Sequence, residues 1–184
     1  ISKGSIHYLS ENQLAEHESY LKNRINKEKI VTFIVGGPNK YYDYSNRTVE
    51  NIFLKIKKNF IDNGYQLIFI PSIRTPKNII DKAQEFFDNN QVVINCVDKK
   101  AYLSSLKLGD YIVVTCDSTS MISEAAMTGK PIYVAQMPAI KKNKRFENFY
   151  GLFKSLNIIK DLENSIEKWN YTKLNETNRV SKYI

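Results

Sequence analysis

The sequence predicts an α/β fold: a Rossmann-like open parallel sheet of about five or six strands, in an order near 3-2-1-4-5, with helices on both faces. Three observations predict it. Five short apolar runs recur along the chain, and each is followed by a segment of helical periodicity, the pattern of a parallel sheet covered on both sides. Several of those runs end in glycine-rich or hydroxyl-rich turns that feed the next helix, which is where open α/β sheets bind ligands. At 184 residues the chain is long enough to form a core without disulfide or metal staples.

Taken in order, Ile1–Leu9 has little pattern and reads as a lead-in. Ser10-Glu11-Asn12-Gln13 is a capping box opening a helix with Leu14, Tyr20, Leu21 and Ile25 as its apolar positions. Ile30–Val35 is the first strand, followed by Gly36-Gly37-Pro38-Asn39-Lys40 and the aromatic Tyr41, Tyr42 and Tyr44. A helix from Ser45 or Asn46 to about Asp62 carries Val49, Ile52, Phe53, Ile56 and Phe60 on one face, and Gly64 closes it. Gln66–Ile70 is the second strand. Behind it, Thr75 as N-cap and Pro76 as first helical residue open a helix with Ile79, Ile80, Ala83, Phe86 and Phe87 inward.

Asn89-Asn90 turns the chain into a third strand, Val92–Asn95, and a short helix, Ala101–Leu108, stops at Gly109. Tyr111–Thr115 is the fourth strand, Thr119–Thr128 a helix and Ile132–Ala135 the fifth strand. Phe146, Phe149, Tyr150 and Phe153 give Arg145–Leu156 an apolar stripe, and Ile158-Ile159 reads as a short edge strand. Leu162–Trp169 and Asn175–Ile184 are expected as two last helices. The expected division is a lead-in and first helix over 1–28, a nucleotide-binding domain over 29–160, and C-terminal helices over 161–184 packing back toward an amino-terminal domain.

The net charge of +8 comes from 22 Lys and 5 Arg against 19 acids. The lysines are spread over most helices, so a specific nucleic-acid partner is not expected. The local exception is Lys141-Lys142-Asn143-Lys144-Arg145, read either as an anion site or as a solvated loop. Cys96 and Cys116 lie in or beside expected core strands and read as buried free thiols. There is no signal-peptide pattern and no apolar run long enough to span a bilayer. Together with an Asn- and Lys-rich composition, this predicts a bacterial cytoplasmic protein, with the inner face of the membrane as its other station. The chain opens at Ile1 rather than Met, so further sequence upstream is expected.

With strands 1 and 4 adjacent, the Gly36-Gly37 loop and the Asp117-Ser118-Thr119-Ser120 turn sit side by side. The glycine loop matches neither G-x-G-x-x-G nor G-x-x-x-x-G-K-[ST]. It is either a tight turn or an anion cradle in which backbone N–H groups and Lys40 approach a phosphate. Arg74 offers a fork of donors to phosphate or carboxylate, or a plain surface salt bridge beside a Thr75-Pro76 cap. Four polar side chains at Asp117–Ser120 exceed what one cap needs, so a ligand is expected to share them. Glu124, one turn past Ser120, is placed either to take both hydroxyls of a ribose or simply to favour the helix dipole. His7 and His17 are the only histidines, and neither a metal-ligand pattern nor G-x-S-x-G is present. Metal-dependent hydrolysis and triad chemistry are therefore unsupported, and no metal or cofactor is expected.

GGPNKYY, SIRTP and TCDSTSMISEAAMTGKPIYV followed by KNKRF resemble the mitochondrial-fission (elongated-mitochondria) protein family, over roughly residues 1–160. The resemblance implies a GT-B glycosyltransferase-like architecture of two Rossmann-like halves, of which this chain corresponds to the carboxyl-terminal, donor-nucleotide half. It implies a nucleoside-diphosphate-sugar as ligand, with Gly36 and Gly37 near the diphosphate, Ser118–Glu124 facing the nucleotide and Glu124 on the ribose. Lys40, Arg74 and Arg145 would neutralise the leaving diphosphate without a metal, while acceptor site and base would lie in the other half, leaving this half inactive alone. Peripheral membrane association of the longer protein is compatible with this. The alternative is a non-catalytic adaptor that uses the tyrosine loop and the Phe146–Phe153 segment to bind proteins; a nucleic-acid binder ranks third.

Overall fold

The computed structural model describes residues 9–163 and 165–174. The six strands form one parallel sheet: β1 (Ile30–Val35), β2 (Gln66–Pro71), β3 (Val92–Val93), β4 (Tyr111–Thr115), β5 (Ile132–Ala135) and β6 (Ile159–Asp161), in the order β3-β2-β1-β4-β5-β6. This is the expected order with β6 added outside β5. β1 pairs with β2 on one side and β4 on the other, Phe33 lying level with Phe69 and Val113. Strands β1, β2, β4 and β5 are buried along their whole length, which is why each appears in the sequence as an unbroken apolar run.

Alternation along β1 assigns the helices to faces. Phe33 meets Phe53 of α2 (Asn46–Asn59), edge to face with centroids 6.1 Å apart, and Phe53 meets Phe86 of α3 (Lys77–Phe86) at 5.5 Å. Thr32 points the other way, its hydroxyl donating at 2.7 Å to the Ser105 carbonyl of α4 (Lys99–Leu108). α5 (Thr119–Ala126) lies beside α4 on that face, where Lys130, just beyond α5, donates to the Leu106 carbonyl. Ser10, Ser45, Asp98, Ser118 and Asn143 each cap a helix with a side-chain oxygen. A 3₁₀ turn, Ile61–Asn63, follows α2, and Gly64 closes that turn at φ 88°, in the left-handed region. α1 (Glu11–His17) begins with the expected capping box, and a 3₁₀ helix over Glu18–Arg24 carries the chain on. Leu14 and Leu21 are buried, whereas Tyr20 is exposed and donates to Asp98 at 2.8 Å.

Four expectations change. Thr75 does not cap α3: its hydroxyl faces back to β1, 2.8 Å from the Val35 carbonyl and 2.7 Å from that of Gly36. Pro76 takes the cap position without a side-chain bond. Leu162–Trp169 is not helical among its described residues. The Leu162 N–H instead extends the β5–β6 ladder to the Val134 carbonyl. Lys55 and Asn59 of α2 donate to the carbonyls of Leu162 and Glu163, which a helix would have used internally. Trp169 is held edge-on to Tyr133. The third strand is two residues rather than four, and Cys96, beyond it, is exposed while Cys116 is buried. The expected helix at Asn175–Ile184 and the position of His7 lie outside the described residues.

The thiols make this testable. Burial pushes the Cys116 thiol up to about 12, so a chromogenic disulfide reagent at neutral pH is expected to modify one thiol per native chain. Cys96→Ser should abolish that signal, and denaturant should release the second thiol.

Candidate functional site

The polar groups at the carboxyl ends of β1, β2 and β4 converge on one buried carboxylate. The Asp117 side chain is fully buried, 0% exposed. One oxygen, Oδ2, accepts from the Gly37 N–H at 3.0 Å and from Nη2 of Arg74 at 2.7 Å. The other, Oδ1, accepts from the hydroxyls of Thr115 at 2.7 Å and Tyr44 at 3.3 Å. Thr115 accepts in turn from the Gly36 N–H at 2.8 Å, and Nη1 of Arg74 donates to the Gly37 carbonyl at 3.1 Å. Three loops from three strands are thereby fastened at a single point. The Tyr44 hydroxyl is pushed above its ordinary range by burial and by the Asp117 charge.

The close approach explains the two glycines. A Cβ on Gly36 would overlap the Asp117 carboxylate, and one on Gly37 would run into the Arg74 carbonyl. Both glycine N–H groups point inward, to Thr115 and Asp117, so the pair shapes the loop and donates nothing outward. Outward donors come from two other sources. Arg74 keeps 42% of its side chain exposed after its two bonds are made. The first turn of α5 has backbone N–H groups without intrahelical partners. Ser118 caps that turn through the Met121 N–H at 3.4 Å, and the hydroxyls of Thr119 and Ser120 make no side-chain bond among the described residues.

Beside this knot, on the α4–α5 face, lies an open cavity of about 250 Å³. Ile34, Pro71, Val97 and Met121 form apolar walls, and Ser72, Asp98, Lys99, Tyr102 and Glu124 supply the polar groups. Glu124 accepts a hydrogen bond from the Tyr102 hydroxyl, whose pKa is raised well above the ordinary value by burial and by the Glu124 charge. Of the residues singled out in the sequence, the structure joins Gly36, Gly37, Arg74, Thr75 and Asp117 in one network and sets Ser118, Thr119 and Ser120 next to it. Glu124 faces the adjoining cavity. Lys40 lies over the Tyr41 ring, 5.3 Å from its centroid. Arg145, exposed in the first turn of α6 (Lys144–Ser155), donates its backbone N–H to Asn143, and its guanidinium makes no hydrogen bond among the described residues.

Sequence reasoning missed Thr115, Tyr102 and Val97. Thr115 had a signal, as the one hydroxyl ending an apolar strand. Tyr102 and Val97 had none, because only the packing of α4 against α5 brings them to Glu124.

A parallel sheet with its crevice loops meeting at the β1/β4 switch is a Rossmann-like domain. The fold is similar to that of the UDP-GlcNAc 2-epimerase from Neisseria meningitidis, with a TM-score of 0.51 and 12% identity over 92% of this chain and 39% of that one. It is similar also to S. aureus MnaA, with a TM-score of 0.54 and 16% identity over 95% and 40%. The former was solved bound to UDP-GlcNAc and the latter with UDP.

The chain belongs to the Mitochondrial fission ELM1 family, whose model matches residues 1–184. It is 27% identical over 179 residues to an uncharacterized protein of Rickettsia prowazekii (strain Madrid E), and 38% identical over 99 residues to the mitochondrial fission protein ELM1 of Arabidopsis thaliana. Those alignments take in 94% and 51% of this chain but 49% and 22% of the relatives, so it spans about half of the former's length or less. No helix among the described residues is long and apolar enough to cross a membrane.

Removing the carboxylate should unfasten all three loops. Asp117→Ala leaves a cation, an N–H and two hydroxyls without their acceptor, and is expected to lower stability by about 3 kcal/mol. Gly36→Ala should destabilise through overlap with the same carboxylate. Urea unfolding reads both, and wild-type midpoints in either would contradict the network.

Proposed function

We propose that the chain is the nucleotide-sugar-binding half of a GT-B-like glycosyltransferase, which moves a sugar from a nucleoside-diphosphate-sugar to an acceptor. The observation that carries this reading is an apolar cavity, bearing the Asp98 and Glu124 carboxylates, beside the part-exposed Arg74 guanidinium and the amino terminus of α5. A nucleoside diphosphate has matching parts. Its base and ribose fit between Val97, Met121 and Pro71, with Glu124 accepting from ribose hydroxyls. Its diphosphate lies toward Arg74 and the amino terminus of α5, where charge and dipole both favour an anion.

Lys40 and Arg145 flank that region and would meet the leaving diphosphate as negative charge develops on it. The similar folds solved with UDP-GlcNAc and UDP support a uridine nucleotide as the first ligand to try. The chain would supply the donor half, as the carboxyl-terminal domain of a longer protein, with acceptor and base contributed from elsewhere. The rings invoked by an adaptor reading are occupied, since Tyr41 and Tyr42 both pack on Phe146.

Calorimetric titration with UDP-, GDP-, ADP- and CMP-sugars tests the proposal. One of the four is expected to bind, with Glu124→Ala and Arg74→Ala each weakening it by roughly ten-fold or more, about 1.4 kcal/mol. Absence of binding for all four, or variants indistinguishable from wild type, would overturn it.

A further inference from the structure

The carboxyl ends of α4 and α5 point away from the crevice, and between them lies a second, smaller cavity of about 140 Å³. Leu14, Leu106 and Met127 give it apolar walls, and Glu11, Lys107, Lys130 and Lys173 bring charge to it. Tyr102 and Glu124, earlier in the same two helices, line the other cavity. The two cavities share no lining residue.

Lys130 stands apart from the other lysines. Its side chain donates to the Leu106 carbonyl at 2.8 Å and to the Lys107 carbonyl, two of the acceptors that the end of a helix leaves without intrahelical partners. Those bonds hold it partly buried, with one N–H left over among the described residues. The charges that bear on it come from several elements: Lys107 of α4, Asp110 just after α4, Glu18 of the 3₁₀ helix and Lys173 of the C-terminal segment. Among the described residues no acid forms an ion pair with it. Glu18 is held by Lys22 at 3.1 Å, Asp110 accepts from the Ile30 N–H at 2.8 Å, and Glu11 is taken by Lys173 at 2.7 Å. Burial, together with the Lys107 and Lys173 charges, pushes the Lys130 amine down to about 8.

In its neutral form this amine is arranged to act as a nucleophile. Two hydrogens stay with the Leu106 and Lys107 carbonyls, so loss of the third leaves the lone pair at the one position that no described group occupies. At pH 7.5 such an amine is about one quarter uncharged, against roughly one part in a thousand for an ordinary lysine. The cavity sets the kind of reagent. Its cations favour an electrophile that carries negative charge, and its volume suits a small acyl group on a single phosphate.

We propose that Lys130 is a modification site, which takes an acyl group from a small acyl phosphate entering this cavity. The nitrogen lone pair forms the new bond to the acyl carbon. The bond from that carbon to the phosphate oxygen breaks, its electron pair leaves on phosphate, and the proton released from nitrogen goes to the departing phosphate. The product amide keeps one N–H for two carbonyls and brings no charge to the end of α4, which slackens the tie between α4 and the approach to β5. The inference does not rest on the nucleotide reading.

Timed incubation of the chain with acetyl phosphate, followed by proteolysis and mass spectrometry, tests it. At pH 7.5 Lys130 should gain acetyl about ten-fold faster or more than the exposed Lys58 and Lys142, its larger share of free amine outweighing its lower basicity. The Lys130 rate should level off above pH 8, where ordinary lysines still gain. Inorganic phosphate should slow Lys130 more than chloride does at equal ionic strength, and Lys107→Gln should slow it while leaving Lys142 unchanged. With acetic anhydride, which is uncharged, the preference for Lys130 should persist and the specific effect of phosphate should vanish. Acetylation of Lys130 no faster than that of Lys58, a rate still climbing through pH 10, or indifference to both phosphate and Lys107→Gln would overturn the proposal. So would an equal effect of phosphate on the anhydride reaction, which would mark a change in the protein rather than competition for the cavity.

Discussion

The crevice end of this molecule is organised by the buried carboxylate of Asp117. A charge withdrawn from water is tolerated only when paired and fully hydrogen-bonded, and here the Arg74 guanidinium, one backbone N–H and two hydroxyls meet that requirement. The requirement propagates outward. Because the carboxylate must reach the β1 loop, Gly36 and Gly37 have no room for side chains. Because Arg74 must reach back across β1, the turn after β2 is tight. Thr75 holds that turn by bonding to β1 carbonyls, and leaves the cap of its own helix to Pro76.

That network also sets what the crevice offers a ligand. It turns the glycine N–H groups inward and presents Arg74 outward, half of it still in solvent, beside the first turn of α5. The apolar cavity adjoins this cationic edge, with Glu124 oriented by Tyr102. Recognition of the proposed nucleotide would depend on a rigid arrangement of few groups. Under the proposed reading the donors are already fixed by packing, so little ordering would remain when an anion arrives.

Much of the fold was legible in the sequence, for identifiable reasons. Strands buried on both faces, such as Ile30–Val35 and Tyr111–Thr115, print themselves as continuous apolar runs. Caps such as Ser10, Ser45 and Ser118 are local chemistry and need no tertiary information. What escaped was long-range. Leu162, Ile166 and Trp169 have helical spacing, yet α2 side chains and the β5 ladder claim the backbone there. Thr75 beside Pro76 is a strong local start signal that two carbonyls from another strand override. In the site, Arg74 and Glu124 stood out by type and place, but the inward orientation of the glycine N–H groups and the approach of Tyr102 to Glu124 follow only from packed geometry.

The sheet's two margins differ from its centre. β3 has two residues and β6 three, and within β6 Lys160 and Asp161 are both ion-paired through their side chains, to Glu167 and Lys154. Margins this short and charged present little unpaired ladder for a foreign strand to copy. The molecule is thereby guarded against edge-to-edge growth into aggregates, and partners are steered away from strand addition toward its loops and helices.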